Sequence, residues 1–75
     1  MPITQALGHF THTTAPGAVA PRGEYKFTVG GVITKIARVE SVRENGTAYV
    51  VTGVFLPVAM FGGRASSLPE AEFLH

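Results

Sequence analysis

The chain contains no cysteine and no tryptophan. Without cysteine there is no disulfide to staple the fold and no thiolate to hold a metal. Charge is scarce as well: Asp, Glu, Lys and Arg make up 15% of the 75 residues, against about 25% in an average soluble domain. The formal net charge of +1 supplies no electrostatic case for nucleic acid or an anionic membrane. No apolar run approaches the roughly 20 residues of a membrane-spanning helix. Met1-Pro2-Ile3-Thr4-Gln5 carries no basic residue ahead of an apolar block, so a secretory signal is not expected.

Catalytic signatures are missing too. Ser41, Ser66 and Ser67 lie in polar connections, and none sits in a G-x-S-x-G elbow. Gly30-Gly31 and Gly62-Gly63-Arg64 lack the spacing of a phosphate-binding loop or a dinucleotide fingerprint. The first pair suits a turn, the second a mobile joint. Glu24, Glu40, Glu44, Glu70 and Glu72 fall where exposed or turn positions are expected, with nothing to desolvate them. His9 and His12 form an H-x-x-H, which could share a metal on a helix but faces opposite ways on a strand. The only other histidine is His75. Asn45-Gly46-Thr47 matches a glycosylation acceptor, but a turn is the simpler reading. No enzyme, metal site or cofactor is expected.

What the chain has is apolar, turn-rich sequence: 45% hydrophobic residues with nine Gly and five Pro. Frequent turns favour short strands over long helices. The strongest signal is Thr47–Leu56, rich in Val, Tyr, Phe and Thr. Its odd positions place Tyr49, Val51 and Phe55 on one face; its even positions place Ala48, Val50, Val54 and Leu56 on the other. A strand with one wet face alternates apolar and polar residues, so this one predicts cover on both faces, by this chain or another. Gly53 interrupts the odd face, as a bulge or a close backbone approach would require. Pro57 ends the ladder, and Asn45-Gly46 turns the chain into it.

The other elements follow from alternation. Residues 1–5 read as an arm and Ala6–Thr13 as a first strand with poor alternation. Residues 15–23 read as a loop with a type II turn at Pro16-Gly17. Glu24–Val29 alternates cleanly, with Tyr25, Phe27 and Val29 on one face. Gly30-Gly31 suits a two-residue hairpin turn and Val32–Val39 the return strand, although Val32, Ile36, Val39 and Arg43 also fall at helical spacing. Residues 40–46 then form a polar connection. Val58–Phe61 fits an edge strand or an exposed apolar loop. Ser67-Leu68-Pro69-Glu70 has the form of a capping box, so 68–74 is either a short helix or an extended tail. The predicted domain is all-β: a small β-barrel or β-clip-like unit spanning 14–61. An N-terminal arm and first strand (1–13) precede it and a tail (62–75) follows.

A 75-residue domain buries only about 60% of the surface of its unfolded chain. Apolar sequence without chemistry then points to a protein contact. The candidate contact residues are Val54, Phe55, Val58, Met60 and Phe61, with Ile3, Leu7 and Phe10 on the arm and Phe73 and Leu74 on the tail. Truncation of Phe61 is expected to weaken assembly more than folding. The rival is an SH3-like barrel that binds nucleic acid or a peptide through Tyr25, Lys35, Arg38 and Tyr49.

One pattern runs from His9 to Met60. It comprises His9-Phe10-Thr11-His12-Thr13, Arg22-Gly23-Glu24, Gly30-Gly31-Val32-Ile33, Glu44-Asn45-Gly46-Thr47 and Val51-Thr52-Gly53-Val54-Phe55-Leu56-Pro57. This arrangement resembles the small decoration, or cement, proteins of tailed-phage capsids. The loop with Pro16 and Pro21 and the tail after Gly63 lie outside the pattern. The resemblance implies a non-enzymatic β-barrel-like subunit of the virion exterior, often trimeric, made in the host cytoplasm. Its partner would be the major capsid protein, with no nucleic acid, membrane or small-molecule ligand.

Overall fold

A computed structural model describes residues 6–15 and 21–75. The expected small all-β domain forms; of the described residues 58% are strand and 18% helical. Its strands are β1 (Gly8–Thr14), β2 (Gly23–Val29), β3 (Val32–Asn45) and β4 (Ala48–Leu56). They make one antiparallel sheet in the order β1-β4-β3-β2, with the doubly apolar β4 inside it. The sheet stays open, with β1 and β2 at its edges. The molecule is a slab, 38 × 32 × 16 Å. The arm at residues 1–5, Ile3 with it, and the Pro16-Gly17 turn lie outside the described residues.

Both hairpins turn where glycine allows it. Gly30 and Gly31 take φ of 60° and 81°, the pair of positive values that a tight two-residue turn between Val29 and Val32 needs. At the other end Gly46 takes φ 67°, and Gly46-Thr47 link Asn45 to Ala48.

β3 is longer than expected. The segment 40–45, read from sequence as a polar connection, continues the strand to Asn45. The reason is a bulge: Val39 pairs with Gly53 and Ser41 with Thr52, so Glu40 has no partner. The extra residue inverts the alternation. Ala37 and Val39 share a face with Val42 rather than with Ser41. The apolar residues therefore lose period two across the strand, and the sequence pattern imitates a connector.

Gly53 sits opposite this bulge. A Cβ there would overlap the Arg38 carbonyl and lie 2.7 Å from Cζ of Phe10. The close approach expected of this glycine is therefore present, made by a backbone group and an aromatic ring together.

The two faces of β4 are both covered from within the chain. On one face Ala37, Val39, Val51, Ala71 and Phe73 are buried, with Phe10, Tyr25, Phe27, Val42, Phe55 and Leu74 packed around them. On the other, Ile36, Val54 and Leu56 pack with Phe61 and Ala65, flanked by Ile33, Val58 and Leu68. The chain after β4 supplies both covers. It crosses the second face as two 3-10 turns, Val58–Met60 and Gly62–Ser67. It then rounds the β2 edge, where Lys26 N–H donates to Pro69 O (2.9 Å) and Ala71 N–H to Lys26 O (2.8 Å). A last 3-10 turn, Glu72–Leu74, delivers Phe73 to the first face.

This path revises three expectations. Val58–Met60 is a 3-10 turn with Phe61 at its C-cap, and not an edge strand. Gly62-Gly63 belongs to an ordered turn and not to a joint. The capping box does not form: residues 69–71 are an extended strap on β2, and the Glu70 carboxylate turns to Thr28.

Candidate functional site

Four large apolar side chains are exposed among the described residues: Leu7 (59%), Val29 (57%), Val32 (63%) and Met60 (48%). The register brings them to one end of the sheet. Leu7 N–H donates to Phe55 O at 2.8 Å, which fixes Leu7 beside the end of β4. The last β3–β4 pair is Ile36↔Leu56. Beyond it the β2–β3 hairpin runs on for four more residues of β3, about 13 Å at 3.3 Å per residue. Val29 and Val32 face each other across its Gly-Gly tip. Met60 follows β4 at the same end, in the turn beside β3. Two exposed valines thus stand at a projecting tip, and two further exposed apolar side chains stand near its base.

Of the ten contact candidates, Ile3 lies outside the described residues, and the other nine divide sharply. Leu7 and Met60 are exposed at this end, and Phe10, Phe55, Val58 and Leu74 are half-buried. Val54, Phe61 and Phe73 are buried in the closed chain's own clusters, at 7%, 6% and 8% exposure. Phe61, expected from sequence to serve assembly more than folding, is packed in the second cluster, where it anchors the cover of that face. Sequence reasoning did not single out Val29 and Val32 as exposed apolar residues. The signal was present, since valines on both sides of a Gly-Gly turn stand past anything that could cover them.

The residues of the rival adaptor do not converge. Tyr25, Lys35 and Tyr49 occupy one face, and Arg38 the other, where its Nη2 donates to Glu24 Oε2 at 2.9 Å. Arg64 reaches the same carboxylate at 3.5 Å. Lys35 Nζ lies 3.9 Å from the centroid of Phe55 and 5.2 Å from that of Phe27, so its charge rests on the aromatic face. Tyr25 donates its hydroxyl to Pro21 O at 2.8 Å, and burial pushes its phenol up from the ordinary value. His9 and His12, three apart on β1, face opposite ways. No group of three His, Cys, Asp or Glu is placed to hold a metal among the described residues.

The strap is held by a polar latch. Thr28 donates both its N–H (3.0 Å) and its hydroxyl (2.5 Å) to the Glu70 carboxylate, and His75 Nε2 lies 2.8 Å from Glu70 Oε2. The Thr28 hydroxyl and then His75 hold the Glu70 carboxyl at about 2, well below its ordinary 4.5. His75 also stacks on Phe27, with ring centroids 4.8 Å apart and planes at 12°. Tyr25 meets Phe73 edge-on at 5.3 Å. The five acids are thus not all solvated bystanders: Glu24 and Glu70 are half-buried and bonded.

No protein-family model, no curated protein and no solved structure matches this chain.

Proposed function

We propose that this chain is a non-enzymatic virion structural subunit, a decoration protein that binds the outer face of a tailed-phage major capsid protein lattice. It acts as a homo-oligomer, a trimer favoured, on the virion exterior after synthesis in the host cytoplasm. The observation that carries this reading is the exposed apolar end: Val29 and Val32 at the hairpin tip, with Leu7 and Met60 at its base. The resemblance in the segment from Val51 to Pro57 points the same way.

Magnitudes favour an oligomer on a repeating surface. Completing the burial of four half-exposed side chains contributes roughly 3–6 kcal/mol. Association costs an estimated 4–15 kcal/mol in lost freedom. One tip is therefore a weak binder, and several tips joined in one oligomer convert later contacts into intramolecular ones. A lattice of identical sites suits that arithmetic; a single soluble receptor does not.

The test is co-sedimentation with expanded tailed-phage shells stripped of their own decoration subunits. The wild-type chain is expected to pellet with its cognate shell. Val29→Asp/Val32→Asp is expected to stay in the supernatant while keeping its thermal midpoint within a few degrees, since both sites are exposed. Pelleting by the double variant at wild-type levels would remove the hairpin from the account. A wild-type chain that leaves every shell undecorated would remove the capsid role.

A further inference from the structure

The β2 edge and the aromatic face beside it form a groove, and the chain fills that groove with its own residues 69–75. The occupant contributes a parallel backbone pairing at Lys26, a carboxylate bonded twice to Thr28, the Phe73 ring against Tyr25 and Phe10, and the His75 ring on Phe27. We propose that this groove is a strand-exchange site, whose alternative occupant is residues 69–75 of a second copy of this chain.

Three observations carry the exchange. First, the bonds that hold the segment from outside are all made to β2. The rest are internal: Glu72 N–H to Glu70 O, Leu74 N–H to Ala71 O and His75 N–H to Glu72 O. It can leave as a unit with its own turn intact. Second, the departure point is already prepared. Leu68 is extended (φ −75°, ψ 150°), half-buried and tied to Ala65 O, so the chain up to that residue stays anchored. Pro69 is exposed and has no N–H, so a swing beyond it breaks hydrogen bonds to β2 alone, while it lifts Ala71 and Phe73 off their cluster with Ala37, Val39 and Val51.

Third, opening creates two matched deficits. The body gains an unpaired edge at Lys26–Thr28 and an aromatic bed without Phe73. The freed segment gains unpaired backbone groups and a bare ring. A second copy opened in the same way satisfies both, and the exchange is reciprocal about a two-fold axis. Because every contact is reproduced, concentration decides between the closed and exchanged forms. Dilute chains stay closed; exchange sets in as chain concentration reaches the effective concentration of each chain's own tethered segment, millimolar or above for a short tether. The inference stands on the groove alone and does not depend on the capsid reading.

The experiment uses the absence of native cysteine. Lys26 and Glu70 are direct partners in the parallel bridge, a spacing of about 4.8 Å that lies within disulfide range. Isotope-labelled Lys26→Cys chains are mixed with unlabelled Glu70→Cys chains, concentrated to millimolar in a thiol–disulfide buffer, quenched and weighed by mass spectrometry. Neither chain can close this bridge within itself. Exchange is expected to yield the 26–70 heterodimer several-fold above both homodimers together, falling steeply on dilution. Random collision gives heterodimer about equal to the homodimers combined, and that result overturns the proposal.

Lys26→Cys/Glu70→Cys in one chain guards against misfolding. At micromolar concentration it is expected to close within the chain, and on concentration to give a disulfide-linked dimer. Because Glu70→Cys also removes the carboxylate bonded to Thr28, amide exchange at Ala71 of the wild-type chain is read beside it; failure to close together with an unprotected wild-type Ala71 amide would show that the segment does not occupy the groove, and the proposal falls with it.

Discussion

Gly53→Ala is the sharpest single perturbation of this fold. The added methyl meets the Arg38 carbonyl first and the Phe10 ring, at 2.7 Å, second. A ring can turn aside; a backbone carbonyl in the middle of a ladder cannot. The strand pair must part at Val39↔Gly53, next to the bulge that sets the phase of the rest of β3. Overpacking in a close-packed site costs about 1–3 kcal/mol. With the backbone as the obstacle, the upper end applies. Whole-domain stability at this size is about 4–11 kcal/mol. A loss of ~3 kcal/mol lowers the thermal midpoint by about 12–24 °C. The assay is thermal and urea unfolding beside Gly63→Ala. Gly63 faces open space with no unusual φ, so that variant is expected to be neutral or slightly stabilised. Phe10→Ala added to Gly53→Ala is expected to restore nothing. A Gly53→Ala midpoint within 3 °C of wild type, or rescue by Phe10→Ala, would refute the reasoning.

Other outcomes follow from the same geometry. Phe61→Ala is expected to cost about 3–5 kcal/mol of folding stability by urea titration, since the ring is buried under the 3-10 cover; a loss in shell binding with unchanged unfolding would contradict this. Glu70 has a lowered folded-state pKa, so its stabilisation is complete above the ordinary 4.5 and is lost as pH falls through about 2. Glu70→Gln is therefore expected to be less stable than wild type at pH 7, with the gap narrowing between pH 4.5 and 2; a gap that is constant with pH would count against the latch. Lys35→Ala removes the charge over Phe55 and Phe27 and is expected to cost about 0.5–1 kcal/mol, read as a small fall in the urea midpoint.

Much of the fold was legible in the residues themselves. Alternation located β2, Gly-Gly located its turn, and the apolar run at Thr47–Leu56 located the doubly covered β4. Gly53 was readable as a point of close approach because a strand glycine between apolar neighbours needs a reason. The second half of β3 was not legible. The bulge at Glu40 breaks the period on which strand reading depends, and only the pairing with β4 restores it. The end of the chain was half-legible. Its apolar residues called for docking, but whether they would cover β4 or another molecule depends on the path around the β2 edge. That path rests on two backbone bonds and a carboxylate, none of which leaves a periodic trace. The apolar excess is largely absorbed by the two clusters, and the case for a partner narrows to the exposed hairpin end.

The claim beneath the whole account is that residues 57–75 of each chain cover both faces of its own sheet. Amide hydrogen exchange on the dilute wild-type chain tests it most directly. Amides of Val50–Leu56 are expected to exchange only through global unfolding, with no partner or shell present. Open exchange along that strand until a partner is added would contradict it.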